Sequence, residues 1–102
     1  MAMIRHVVAW DFKEGFTDAE NKNHADLAKE RFDELSQIGI TGVEVMDFRA
    51  ELLPASTRKV VLNSLFTNTE ALLAYKRHPI HMELVDIMAK YFDDRVCVDF
   101  IE

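Results

Sequence analysis

The strand-like runs of this chain are apolar on both faces, and that pattern limits what it can fold into more than any other feature. In the first run, Met3 to Phe12, strand alternation sends Ile4, His6, Val8, Trp10 and Phe12 to one face and Met3, Val7 and Ala9 to the other. A later run, Arg58 to Phe66, repeats the arrangement with Val60, Leu62 and Phe66 against Val61 and Leu65. An antiparallel sheet with one wet face alternates apolar and polar residues instead. Helices can cover one face only, and an apolar sheet face of roughly several hundred Å² left in water is unusual for a monomer. A second copy laid face to face would cover it, and two-fold pairing is the commonest way to do so. The pattern predicts a homodimer whose sheets meet.

The rest of the chain supplies the helices. Thr17-Asp18-Ala19-Glu20 has capping-box spacing and starts a helix that runs to about Ile38, with Leu27, Arg31, Leu35 and Ile38 on one stripe and Gly39 as the stop. A second strand follows from Gly42 to about Ala50, and a loop holding Pro54 leads to the Arg58–Phe66 strand. Thr67-Asn68-Thr69-Glu70 repeats the capping-box spacing before a short helix to about Arg77. Pro79 breaks that helix or opens the next as its first residue. Ile80 to Tyr91 reads as helix, with Met82, Val85 and Met88 or Ala89 on one side, and Arg95 to Ile101 as the last strand. The order is β-α-β-β-α-(α)-β, the ferredoxin-like pattern: an α+β fold in one domain, residues 1–102, with a four-stranded antiparallel sheet and helices on one face.

Composition removes several functional classes. A formal charge of −6 argues against nucleic acid or an acidic membrane surface as partner. No apolar run approaches the ~18 residues of a membrane span, and the N-terminus lacks a signal-peptide layout. Cys97 is the one cysteine, so no disulfide framework is possible, which suits a reducing cytoplasm. No phosphate-cradling loop, dinucleotide turn or nucleophile elbow occurs, and no cofactor is expected.

Chemistry concentrates in the histidines. Tyr75-Lys76-Arg77-His78-Pro79-Ile80-His81 joins the last two helices. If Pro79 is the first helical residue, His81 lies in the first turn, where the macrodipole disfavours an added positive charge. A neutral imidazole there can serve as a general base near pH 7. Tyr75 can bring a phenol to the same place, and His6 shares its strand face with Val8 and Trp10. The structural alternatives are plain: His78 as a cap that pins the turn, His81 as a hydrogen-bonded helix residue, His6 as a satisfied strand histidine. His6, His78 and His81 could together offer three nitrogens to a metal, but the spacing is not a recognised zinc pattern and no metal is expected. Cys97 has no adjacent base in sequence and reads as a small buried strand residue, while the charged residues from Asp18 to Glu34 read as a solvated helix face.

Taken together, Met3-Ile4-Arg5-His6-Val7-Val8, Phe66 followed by Leu72-x-x-Tyr75, His78-Pro79-x-His81, and Val98-Asp99-Phe100 resemble the stress-responsive A/B-barrel (Dabb) family over nearly the whole chain. The Met1-Ala2 pair precedes the usual family start. The resemblance implies a dimer of two ferredoxin-like sheets closed into an α/β barrel. It also implies that Tyr75 and His81 match the catalytic pair of the family's plant polyketide cyclase, which forms olivetolic acid, with His6 and His78 in or near the pocket. By the same comparison Trp10 replaces a leucine, His24 and Ala28 replace aromatics, and Arg95 and Cys97 stand at apolar pocket positions. The implied pocket is smaller and more polar than the cyclase's, and with Arg95 and several histidines it suits a compact, anionic ligand. Three functions remain open on this reading: a dimer that only binds a small molecule, a cofactor-free cyclase, lyase or isomerase, and a cofactor-free monooxygenase.

Overall fold

The computed structural model describes residues 2–102; of the Met1-Ala2 pair, Met1 lies outside the described residues. Strand β1 spans Ile4–Phe12, helix α1 Asp18–Ile38, β2 Val43–Arg49, β3 Val60–Phe66, α2 Thr69–Arg77, α3 Pro79–Tyr91 and β4 Phe92–Ile101. The four strands form one antiparallel sheet in the order β2-β3-β1-β4, so β1 and β3 are central and β2 and β4 are the edges. This is the ferredoxin-like arrangement expected from the sequence.

Local signals explain most element ends. Thr17 caps α1 reciprocally: its hydroxyl accepts from the Glu20 N–H, and the Glu20 carboxylate accepts from the Thr17 N–H. Gly39 ends the helix in the left-handed region at φ 72°. At α2 the cap is Asn68, whose Oδ1 accepts from the Ala71 N–H, rather than the Thr67–Glu70 box. The asparagine carbonyl reaches the free amides one residue later than a Thr67 cap would. Strand β4 begins at Phe92, earlier than Arg95, because Phe92 pairs with Phe12 and a bulge at Asp94 (φ 51°) restores pairing from Val96 onward. Gly42 packs so closely on α2 that an added Cβ would lie 2.5 Å from the Ala71 Cβ.

The core lies between the helices and one sheet face. His6, Val8 and Trp10 of β1 and Val60, Leu62, Ser64 and Phe66 of β3 are buried there, and Phe32 stacks on Phe48 with ring centroids 5.1 Å apart. Two helix stripes differ from expectation. On α1 the buried residues are Ala25, Ala28, Phe32 and Leu35, while Ile38 is exposed; the small alanines let the helix approach the sheet. On α3, Leu84 and Met88 are buried, Met82 faces outward, and Val85 is half-exposed at the border of the space between α3 and the sheet. The charged face of α1 is solvated as expected and carries Lys22–Asp26, Lys29–Asp33 and Arg31–Glu34 pairs.

Among the described residues, no helix covers the opposite sheet face. Register places Val7 between Asn63 and Val98, Ala9 between Val61 and Val96, and Arg5 between Leu65 and Phe100. Val45, Val96, Val98 and Phe100 are exposed on this face. The second apolar face read from the strand alternation is therefore real and open in the single chain.

Candidate functional site

Helix α3 is held slightly off the inner face of the sheet, and a cavity of about 460 Å³ lies between them. Its floor is His6, Val8, Trp10 and Leu62, and its walls are Phe32 from α1, Tyr75 and Lys76 from α2, and His81, Leu84 and Met88 from α3. Arg95, Asp93 and Asp94 line it from β4 and are exposed. The rim is thus mixed in charge, since Lys76 and Arg95 are answered by the two aspartates.

One residue sets the geometry of the Tyr75–His81 pair. His78 closes α2, giving its backbone N–H to the Tyr75 carbonyl, and opens α3, its Nδ1 accepting from the Ile80 N–H at 3.2 Å. Pro79 is the first residue of α3, as its fixed φ favours. Tyr75 and His81 therefore face each other across a single break, their rings edge to face at 4.6 Å. Tyr75 is 1% exposed and also packs on Phe66 at 5.1 Å.

Protonation follows from these surroundings. His81 Nδ1 lies 3.0 Å from the Lys76 carbonyl, which can only accept, so Nδ1 carries the hydrogen and Nε2 keeps a lone pair. Burial holds the His81 imidazole below its ordinary value; the Lys76 carbonyl opposes this, and the charges of His6, Lys76 and Arg95 add to it. Burial pushes the Tyr75 phenol up, so it stays an O–H donor at any ordinary pH.

The depressed His81 value predicts a pH dependence. As pH falls below about 6.5 the unfolded chain takes up a proton at this position before the folded one does. The stability His81 contributes is whole above that pH and is lost as pH falls through the folded value. Urea melts at about pH 7 and pH 5 should show a larger loss for the wild type than for His81→Asn. Equal losses would remove His81 as the source.

The structure thus brings Tyr75, His81, His6, Trp10 and Arg95 to one cavity and leaves His24, Ala28, His78 and Cys97 outside it. His78 is occupied as the shared cap. His24 stacks on Tyr91 at 3.9 Å and meets the edge of Phe16 at 4.6 Å, on a part of α1 that does not line the cavity. Nor do the three histidines His6, His78 and His81 gather as a ligand set; the donor atoms grouped with His6 are those of Cys97 and Asp99.

Cys97 is also corrected. It is exposed, because β4 is an edge strand that the helices do not cover, and it lies beside His6 from the far end of the chain and Asp99 two residues on. His6 Nδ1 is hydrogen-bonded to Asp99 Oδ1, and the Cys97 sulfur lies 3.7 Å from both atoms. Asp99 gave one signal in the sequence: it is two residues from Cys97, on the same side of a strand.

The sequence profile of the stress responsive A/B barrel domain (Dabb) matches residues 4–102. No curated protein matches the chain. Among solved structures, a dimeric ferredoxin-like protein of unknown function from Bacteroides fragilis is similar at 24% identity and TM-score 0.87, covering 98% of this chain and 96% of that one. A Dabb family protein from Mesorhizobium loti is similar at 22% identity and TM-score 0.76, with 100% and 98% covered. A hydroxynitrile lyase from Passiflora edulis is similar at 16% identity and TM-score 0.78, with 98% and 93% covered. At such identities the structural likeness establishes the fold, and the profile match over almost the full length establishes the family. The chain belongs to the stress-responsive A/B-barrel domain family.

Proposed function

We propose that this chain works as a homodimer that binds a compact, carbonyl-bearing small molecule between α3 and the sheet and moves a proton on the carbon next to that carbonyl. The observation that carries this reading is the cavity of about 460 Å³ that both Tyr75 and His81 line, a size within the usual range for ligand sites. His81 Nε2, left free by the Nδ1 bond to Lys76, takes the proton. Tyr75, kept protonated by burial, donates to the oxygen on which charge gathers. Loss of a leaving group, attack on a second carbonyl or return of the proton elsewhere then gives a lyase, a cyclase or an isomerase. A hydroxynitrile lyase with the same fold supports an enzymatic role for a chain of this architecture.

The dimer follows from the open sheet face. Val45, Val96, Val98 and Phe100 are too many exposed apolar residues on one surface for a lone chain in water, and a second sheet laid on them would close a barrel. The neighbour from Bacteroides fragilis, described as dimeric, supports self-association.

Solvent-deuterium exchange into the α-carbon of a panel of small ketones and aldehydes, followed by NMR, tests the reaction. Exchange above the buffer rate for at least one compound, lost in His81→Ala, is the expected result. Binding without exchange across the panel would leave a ligand carrier and overturn the catalytic reading.

A further inference from the structure

His6 on β1 and Cys97 and Asp99 on β4 lie on the same sheet face, at the edge that the helices leave open. Register pairs His6 with Asp99 and Val8 with Cys97, so the three side chains share one patch and can each place a donor atom within 4.8 Å of the others. His6 is 2% exposed and fixed by the sheet, while Cys97 and Asp99 are open to solvent. A rigid buried imidazole beside an accessible thiol and carboxylate is a donor set for a borderline-soft cation.

We propose that His6 Nδ1, Cys97 Sγ and a carboxylate oxygen of Asp99 form a zinc-type metal site with a fourth position open to water or ligand. Tetrahedral zinc, with bonds of about 2.0–2.3 Å, places its nitrogen, oxygen and sulfur donors about 3.5 Å apart. The sulfur already stands 3.7 Å from both the His6 nitrogen and the Asp99 oxygen. Only the hydrogen-bonded His6–Asp99 pair must open, and the exposed Asp99 carboxylate can turn to do so. Charge also balances: thiolate and carboxylate together neutralise a divalent ion, and the imidazole binds as the neutral ligand. The thiol proton leaves to solvent, and the His6 proton now on Nδ1 moves to Nε2. The site shares His6 with the cavity floor but uses neither Tyr75 nor His81, so metal binding can be tested apart from the proton-transfer reading.

Cobalt reports such a site directly. Reduced, metal-free protein titrated with Co²⁺ should develop a thiolate-to-cobalt absorption band that saturates at one ion per chain and is displaced by Zn²⁺. By calorimetry, Cys97→Ala and Asp99→Asn should each weaken Zn²⁺ binding at least about tenfold, with circular dichroism unchanged. Zn²⁺ should also slow alkylation of Cys97 in the wild type, and less so in Asp99→Asn. The proposal falls if no thiolate band forms, or if either variant binds Zn²⁺ as tightly as the wild type. The second outcome would mark the binding as adventitious.

Discussion

His81→Ala should reduce catalysed α-carbon exchange by about 10²–10⁴-fold, the usual contribution of a positioned general base. The loss should fall on kcat more than on KM, because the imidazole takes the proton as the bond breaks, whereas the apolar floor of Val8, Trp10 and Leu62 holds the ligand. Tyr75→Phe keeps the packing on Phe66 and removes only the hydroxyl, so it should lose about 10²-fold or more. His81 is only half-buried, and its ring makes one backbone hydrogen bond, so the alanine variant should melt within a few degrees of the wild type. A large drop in melting temperature with exchange intact would instead make His81 a structural residue.

Val98→Asp should convert the dimer to a monomer. Val98 is 57% exposed in the single chain and pairs with Val7 in the middle of the open face. In a two-fold interface the substitution appears twice, and each unpartnered carboxylate loses its water on burial. Two such groups cost roughly 3 kcal/mol or more, which raises the dissociation constant by about 100-fold or more. Sedimentation at about 10 μM should show a dimer for the wild type and a monomer for the variant. A wild-type monomer, or an undisturbed variant dimer, would mean the sheets do not meet on this face.

How far the molecule was legible in its sequence depended on whether a signal was local. The two faces of β1 and β3, the Thr17 box, the Gly39 stop and Pro79 as first residue of α3 are set by neighbours a few residues apart, and they read correctly. The α1 stripe misread because an alanine carries only a methyl group, so a pattern of large residues passes over the buried Ala25 and Ala28. Helix α3 has Ile80, Met82, Leu84, Val85, Ile87 and Met88 on several sides, so its periodicity cannot tell the covered side from the open one. Cys97 shows the limit most clearly. Alternation puts it on the helix-facing side, but its exposure follows from β4 being an edge strand, and that depends on the order of the whole sheet. The same pairing brings Asp99 to His6 across 93 positions of sequence, a meeting no local pattern announces.

The shared cap at His78 has a consequence for which changes of chain length this site can survive. Tyr75 stands three residues before it and His81 three after, each counted along its own helix from the same break. One residue inserted between Pro79 and His81 would rotate the imidazole by about 100° around α3 and carry it from the cavity toward the outward side that Met82 occupies. One inserted between Tyr75 and His78 would instead shift the whole of α3 against α2. A substitution at His78 loosens the joint, whereas an insertion on either side separates the pair. The six-residue spacing from Tyr75 to His81 is therefore a length the chain must keep, whatever else around it drifts.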